Sequence, residues 1–172
     1  MFNSLDLAIG SVETTAGVFG ALVTPRGLAR LSFPGESLDA CRAFAKRWWP
    51  QAPLVSDDGR LQPIRSQLAA FFRGELRDFS LALDMQGTPF QQQVWAALQQ
   101  VPFGQTCSYA AIAQAIGRPT AVRAVGRANG ANPVPIVVPC HRIIGSSGQL
   151  VGYAGGLEVK RQLLQLEGTL FA

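Results

Sequence analysis

The sequence has few of the residues that build metal centres and disulfide frameworks. Its 172 residues include one histidine and three cysteines, and these side chains (Cys41, Cys107, Cys140 and His141) have no ligand-pair spacing. We therefore predict no metal site. An odd number of cysteines without a framework is typical of reduced thiols, and it favours a cytoplasmic location.

Other absences narrow the class of protein further. No apolar run is long enough to cross a bilayer, and no basic start precedes an apolar core, so we predict neither a membrane segment nor a signal peptide. No glycine-rich dinucleotide motif or phosphate-loop lysine is present, and we expect no cofactor. A hydrophobic fraction of 48% with 15% charged residues indicates a globular protein, in one domain or two small ones.

Acidic residues are missing from a long central stretch. None occurs between Asp84 and Glu158, whereas the basic residues of 86–172 are Arg118, Arg123, Arg127, Arg142, Lys160 and Arg161. An acid-free half with spaced arginines suits a polyanion such as DNA. The alternative is a basic surface that contacts only solvent.

Composition and turn signals divide the chain into an α/β domain over residues 1–84 and a mainly α domain over residues 85–172. We expect the first domain to be a scaffold. Its predicted elements are strands at 17–23 and 28–33 joined by a turn at 24–27, a helix from a Ser37 cap to Trp48, a polar loop at 51–58, a helix at 63–72 and a strand at 79–83.

The second domain carries a helix-turn-helix pattern. Ser108 is predicted to cap a helix at 109–116, and Thr120 to cap a helix at 121–129 that ends at Gly130. On the second helix Arg123 and Arg127 are four residues apart and share a face. Flanking helices are predicted at 90–100, with a Thr88–Gln91 capping box, and at 157–167. The basic second helix favours DNA binding, although any helical hairpin gives a similar pattern.

The only histidine directly follows a cysteine, at Cys140-His141. A base beside a thiol raises the thiolate fraction, and thiolate is the form that attacks carbon. The competing interpretation is a buried, inert cysteine after the apolar run 136–138. On an extended strand the two side chains would also point to opposite faces, so adjacency alone leaves both interpretations open.

Several motifs together resemble the O6-alkylguanine-DNA alkyltransferases. They are Gly87-Thr88-Pro89-Phe90-Gln91, Val94-Trp95, Ser108-Tyr109, Arg123-Ala124-Val125-Gly126, Asn132-Pro133, Pro139-Cys140-His141-Arg142, Tyr153-Ala154-Gly155-Gly156-Leu157 and Leu166-Glu167-Gly168. The resemblance is dense over residues 80–168. It implies a ribonuclease-H-like α/β N-terminal domain and a winged-helix-like C-terminal domain that contains the helix-turn-helix.

The resemblance also implies a reaction and the residues that perform it. The cysteine takes the alkyl group of O6-alkylguanine, possibly also of O4-alkylthymine, in one irreversible step, after the base is flipped out of the duplex. Cys140 resembles the nucleophile, His141 a base that acts through water, and Glu167 the residue that orients the histidine. Asn132 resembles the residue that braces the active-site turn, and Tyr109 the residue that donates to the guanine ring.

Other positions resemble substrate and DNA contacts. Arg123 matches an arginine finger that fills the gap in the base stack. The expected pocket walls are Tyr109, the Ile143 backbone, Tyr153 and the Ala154 amide, and the expected DNA contacts are Arg123, Arg127, Ser146 and Thr88. At Ala154 some relatives have serine, so a side-chain hydrogen bond is absent there. The implied partner is double-stranded DNA containing alkylated guanine, bound by a monomer.

Two other functions compete with alkyl transfer. A non-catalytic sensor would bind alkylated DNA with Cys140 inert, but the alkyltransferase-like proteins of that kind lack the cysteine. A cysteine hydrolase would need an oxyanion hole, and the sequence identifies none.

Overall fold

The computed structural model describes residues 6–169, and the chain divides into two compact units between Gln86 and Gly87. The division predicted from the sequence falls two residues earlier. Asp84 accepts a hydrogen bond from the Thr24 hydroxyl at 2.6 Å and pairs with Arg26 at 2.7 Å, and Gln86 donates to Asp84 at 2.8 Å. These bonds tie residues 84–86 to the first unit.

The N-terminal unit is built on a four-stranded sheet with the order β3-β2-β1-β4. Strands β1 (Leu7–Thr14), β2 (Gly17–Thr24) and β3 (Gly27–Leu31) are antiparallel neighbours, and β4 (Leu54–Val55) pairs parallel to β1. The predicted hairpin at 24–27 is confirmed, since Thr24 pairs with Gly27.

Helix α1 (Leu38–Trp48) packs on this sheet. The Ser37 hydroxyl accepts a hydrogen bond from the Asp39 amide at 3.1 Å, which confirms the predicted cap. Cys41 and Ala45 pack with Leu7 and Leu22 in one buried cluster. Cys41 is therefore part of the hydrophobic core.

Helix α2 (Asp58–Phe72) begins five residues before the predicted start at Pro63. Asp57 caps the helix, because its carboxylate accepts from the Arg60 amide at 3.1 Å. Pro63 lies inside the helix, which tolerates one missing backbone hydrogen bond there. The prediction of a loop throughout 51–58 is also wrong, because β4 lies within it.

The predicted strand at 79–83 is wrong except for one bridge, between Leu83 and Leu28. The Leu28 amide donates to Ala82 at 2.9 Å, and the Asp84 amide donates back to Leu28 at 2.9 Å. Gly27 permits this approach, since a Cβ atom there would lie 2.4 Å from the Ala82 carbonyl oxygen. The pairing stops at this single position, so residues 79–83 do not form a strand.

The C-terminal unit is mainly helical. Its elements are α3 (Pro89–Leu98), β5 (Cys107–Ser108), α4 (Tyr109–Ala115), α5 (Val122–Gly130), β6 (Ile143–Ile144) and α6 (Leu157–Leu166). The short strands β5 and β6 pair in parallel. The Thr88–Gln91 capping box is confirmed at the start of α3. The Trp95 indole donates to the Ala128 carbonyl at 2.8 Å and so joins α3 to α5.

Helices α4 and α5 form the predicted helical pair, but α5 starts and ends later than expected. Ser108 caps α4 as predicted, accepting from the Ala111 amide at 3.1 Å. Thr120 does not cap α5: the residue at that position is Ala121, which makes no side-chain cap. The Ala121 amide instead donates to Arg118, so a turn precedes the helix. Gly130 belongs to α5 and does not stop it.

No helix among residues 6–169 is long and apolar enough to cross a membrane.

Candidate active site

A double turn over residues 132–139 holds the cysteine, where an extended run was considered from the sequence. The buried Asn132 side chain accepts from the Val134 amide at 3.0 Å and donates to the Val138 carbonyl at 2.8 Å. Between these bonds Ile136 adopts φ +74°, a left-handed conformation that is rare for a β-branched residue. Asn132 thus fixes a strained turn that leads into Cys140.

Cys140 begins a short 3-10 turn, Cys140–Arg142, and is only 4% exposed. Burial raises the pKa of its thiol to about 11, although Asn132 and the charge of Lys160 oppose this. The thiol is protonated at neutral pH and must lose its proton in order to react.

His141 is fully buried and is oriented by Glu167, as the resemblance implied. Its Nε2 lies 2.7 Å from a Glu167 carboxylate oxygen, so Nε2 carries the proton that it donates to that oxygen. Burial lowers the pKa of His141, although Glu167 opposes the shift. Nδ1 makes no hydrogen bond within residues 6–169. A neutral imidazole with a free lone pair on Nδ1 can accept a proton.

Arg142 completes this network, and the sequence reasoning missed its role. Its Nε and Nη2 donate to both oxygens of Glu167 at 2.9 Å, and its Nη1 donates to the Val101 carbonyl at 2.6 Å. The Gly104 amide adds a bond to Glu167 at 3.1 Å. Although burial raises the pKa of Glu167, hydrogen bonds from His141 and Arg142 outweigh it and lower the value to about 2.

A cavity of about 690 Å³ opens between α5 and the segment that precedes α6. Its lining residues are Tyr109, Val122, Arg123, Gly126, Arg127, Gly130, Val151, Gly152, Tyr153 and Ala154. The Tyr109 hydroxyl donates to the Val151 carbonyl at 3.1 Å, which joins α4 to the far wall. Burial raises the pKa of both Tyr109 and Tyr153, and the charge of an ionised Cys140 would raise both further.

Arg123 and Arg127 line the cavity from α5, and both are exposed. Neither forms an ion pair with an acidic residue among those that the structure describes. Two unpaired guanidinium groups one helical turn apart are available to an anionic partner.

Three predicted contact residues lie outside the cavity lining. The Ile143 side chain is fully buried, and its carbonyl accepts a hydrogen bond from Lys160. Ser146 is exposed in the turn after β6. The exposed Thr88 uses its hydroxyl to cap α3 at 3.2 Å from the Gln91 amide.

Lys160 is the second functional candidate that sequence reasoning missed. It lies on the buried face of α6 with Leu163, Leu164 and Glu167, at helical spacing. That spacing is visible in the sequence and could have identified Lys160 as an inward-facing cation.

Within residues 6–169, no group of three or more histidine, cysteine or acidic side chains could hold a metal ion.

Comparisons with known proteins agree with this arrangement. Residues 89–169 match the family model for the DNA-binding domain of 6-O-methylguanine DNA methyltransferase. A methylated-DNA–protein-cysteine methyltransferase of Mycobacterium bovis is 48% identical over 145 residues, which cover 84% of this chain and 88% of that protein. The chain belongs to this family. An inducible methylated-DNA–protein-cysteine methyltransferase of Bacillus subtilis is 44% identical over 144 residues, covering 84% of this chain and 80% of that protein.

Solved structures in the methylated-DNA–protein-cysteine methyltransferase family share the fold. The crystal structure of the Mycobacterium tuberculosis O6-methylguanine methyltransferase matches with a TM-score of 0.79 at 40% identity, covering 94% of this chain and 92% of that one. The Mycobacterium tuberculosis OGT in complex with DNA matches with a TM-score of 0.78, 40% identity and the same coverage of both chains.

Proposed function

We propose that this protein repairs DNA by transferring the alkyl group from O6 of guanine to the sulfur of Cys140, once per molecule. Family membership makes the protein a methyltransferase of DNA repair and favours this function over a non-catalytic sensor. One observation carries the choice of cysteine: Cys140 is buried and directly precedes His141, a buried neutral imidazole that Glu167 holds at 2.7 Å. Cys41 lies in the core of the other unit, and Cys107 lies in β5.

The transfer is a displacement at saturated carbon. The Cys140 thiolate attacks the alkyl carbon in line, and the carbon–sulfur bond forms as the carbon–O6 bond breaks. The bonding electron pair leaves with the guanine, whose ring accepts a hydrogen bond from the Tyr109 hydroxyl, and the proton that His141 took from the thiol returns to the guanine through solvent. The protein keeps a stable thioether, so each molecule reacts once.

His141 acts as the general base. Because Glu167 holds the proton on Nε2, Nδ1 is the nitrogen that receives the thiol proton, through a bridging water. Asn132 supports this step because its two hydrogen bonds to the backbone stabilise the turn that leads into Cys140.

Double-stranded DNA containing alkylated guanine is the proposed partner, and the protein binds it as a monomer. A base inside a duplex is out of reach of a buried sulfur, so the damaged nucleotide is flipped into the cavity. Arg123 enters the gap in the base stack, and Arg127 contacts phosphate. Tyr153, the Ala154 amide and the Ile143 backbone contact the flipped base.

Two further DNA contacts are proposed away from the cavity. Ser146 is exposed and available to the DNA backbone. Thr88 is exposed at the N-terminus of α3, where the helix dipole favours a phosphate group.

We also propose the finer features of fold and location. The α/β domain, residues 1–84, is a ribonuclease-H-like scaffold. Residues 85–172 form a winged-helix-like domain around the α4–α5 pair. The free thiols of Cys41, Cys107 and Cys140 support a reducing, cytoplasmic compartment.

Incubation with the free base O6-benzylguanine tests the proposal. We expect the wild-type protein to gain one benzyl group per molecule, mapped to the peptide that contains Cys140. Cys140→Ser should gain none and should still bind duplex DNA. A benzyl group on Cys41 or Cys107, or transfer that persists in Cys140→Ser, would contradict the assignment.

A further inference from the structure

Asn129 is a buried polar side chain on α5 that the proposed function does not use. It is 3% exposed, and its Nδ2 donates to the Cys140 carbonyl at 3.4 Å. This bond also fixes the orientation of the amide, because the reverse orientation would place two oxygens against each other. The Asn129 side chain is therefore a direct link between the helix that carries Arg123 and Arg127 and the backbone of the nucleophile.

The other half of this amide has no partner. Asn129 Oδ1 is buried and accepts no hydrogen bond from residues 6–169. The Cys140 carbonyl does not depend on Asn129, since it also accepts from the Ile143 amide. An unpaired buried acceptor disfavours folding, whereas leucine has the same branched shape without polar atoms. An apolar residue at position 129 would therefore serve the fold at least as well.

A second unpaired acceptor lies on the residue that follows Cys140. His141 is fully buried, and Nδ1 is an acceptor because Nε2 donates to Glu167 at 2.7 Å. Nδ1 has no donor within the described part of the chain. The two acceptors belong to residues joined to Cys140, one by a hydrogen bond and one by the peptide bond. A single water molecule has the two hydrogens that both acceptors require.

We infer that Asn129 is a positioning residue for the alkyl transfer: its Oδ1 and the Nδ1 of His141 together hold one buried water molecule against the Cys140 thiol. The water donates one hydrogen to each acceptor and accepts a hydrogen bond from the S–H group. This inference rests on the proposed function, in which the thiol proton reaches His141 through a water. A water held by one acceptor can rotate about that bond, and the second acceptor fixes its orientation.

The proton transfer through this water balances. The thiol gives its proton to the water oxygen while the water gives the hydrogen that faces Nδ1 to the imidazole. The water is regenerated, and the products are a thiolate on Cys140 and an imidazolium on His141. The hydrogen that faces Asn129 stays in place throughout. Asn129 therefore gains and loses no proton, and it acts only by orienting the water.

The effect of Asn129 should depend on pH. Burial raises the pKa of the Cys140 thiol to about 11, so near neutrality the thiol must pass its proton to His141. Toward pH 10 a growing fraction of the thiol ionises without this transfer. A displaced sulfur would instead slow the reaction by the same factor at every pH. Substitution of Asn129 leaves the charged and titratable groups around Cys140 and His141 unchanged, and these are Tyr109, Arg142, Tyr153, Lys160 and Glu167.

Rates of modification of the Cys140 peptide from pH 6.5 to pH 10 test the inference, with benzylguanine and with iodoacetamide as probes. We expect Asn129→Leu to react at least about tenfold more slowly than wild type with both probes at pH 7.5, because a general base that is poorly coupled to the thiol loses much of its effect. The ratio of the two rates should fall toward one near pH 10. The free energy of unfolding should equal or exceed that of wild type.

Val125→Ala is the matched control, because Val125 is buried one turn earlier on α5 and has no polar side-chain atom. It should lower the free energy of unfolding, and any loss of rate should be the same at every pH. In a protein that already carries His141→Ala, Asn129→Leu should cause no further loss, since the acceptor of the proton is absent.

The contradicting results are equally specific. A loss of rate in Asn129→Leu that is the same at every pH, or that adds in full to the loss in His141→Ala, would mean that Asn129 only supports the turn. A wild-type rate at pH 7.5 would remove Asn129 from the proton transfer. A wild-type protein that reacts with iodoacetamide but not with benzylguanine would contradict the proposed function, and the iodoacetamide rates would still test Asn129.

A crystal structure of the wild-type protein decides if Asn129→Leu does not fold. One ordered water within about 3.2 Å of both Asn129 Oδ1 and His141 Nδ1 supports the inference. The absence of a water shared by these two atoms contradicts it.

Discussion

Glu167 accepts hydrogen bonds from both side chains that follow Cys140, and this sharing sets the protonation of His141. A carboxylate bound only to an imidazole draws a proton onto it. Here Arg142 also neutralises Glu167, and burial disfavours the imidazolium, so His141 stays neutral. The imidazole is therefore a proton acceptor.

The first prediction concerns this proton transfer. His141→Ala should slow the reaction with free benzylguanine by roughly 10²–10⁴-fold, the usual contribution of a general base. Second-order rate constants at pH 7.5 measure the effect, and circular dichroism checks that the variant is folded. Wild-type rates in both His141→Ala and Glu167→Ala would show that the thiol loses its proton without this pair.

The second prediction is a pH dependence of stability. The folded-state pKa of Glu167 is about 2, below the ordinary value of 4.5, so its contribution is complete above pH 4.5 and is lost as pH falls toward 2. The difference corresponds to about 3 kcal/mol. Urea unfolding of wild type and Glu167→Gln should show a constant gap in the free energy of unfolding above pH 5.5. Below pH 4.5 the gap should narrow, and a constant gap down to pH 3 would contradict the shift.

At single positions the sequence indicated the reactive pair but not its electrostatic setting. The adjacency of Cys140 and His141 is visible in the chain, and Glu167 came from the resemblance. Arg142 and Lys160 were counted only as members of a basic half, because a count of charges carries no information on burial.

At the scale of elements, local signals predicted best where the cap and the helix are neighbours in the chain. Ser37, Thr88 and Ser108 all cap as expected. The errors arose where a distant segment or a turn determines the local structure. Strand β4 is an example, because it forms only through pairing with β1. The start of α5 also moved, because the turn closed by Arg118 took the place expected for a Thr120 cap.

The third prediction separates the two arginines of α5. Arg123→Ala should lose activity on duplex substrate, because holding a base outside the stack costs a few kcal/mol, and should react almost normally with benzylguanine. Arg127→Ala should weaken binding to every duplex and lower the salt dependence of log Kd by about one. Reaction rates on the two substrates and binding across a salt series measure this. Equal losses of Arg123→Ala on duplex and free base would mean that Arg123 supports the cavity structurally.

At the scale of the whole molecule, the C-terminal half exposes fewer unpaired positive charges than its number of basic residues indicates. Arg142 and Lys160 are buried, and the exposed Arg161 pairs with Glu158 at 2.6 Å. The remaining exposed cations are Arg118, Arg123 and Arg127, all on α5 or on the turn before it. The positive surface of the C-terminal half is therefore concentrated at the helix that lines the cavity.

The most direct test of alkyl transfer to Cys140 is its stoichiometry on DNA. Wild-type protein is mixed with increasing amounts of a duplex that contains one O6-methylguanine, and the intact mass and the Cys140 peptide are measured at each point. We predict that the methyl gain rises linearly and stops at one per protein molecule, all of it on Cys140, with unmethylated guanine left in the duplex. Repair that continues beyond one methyl group per protein, or a methyl group found on another residue, would contradict the account.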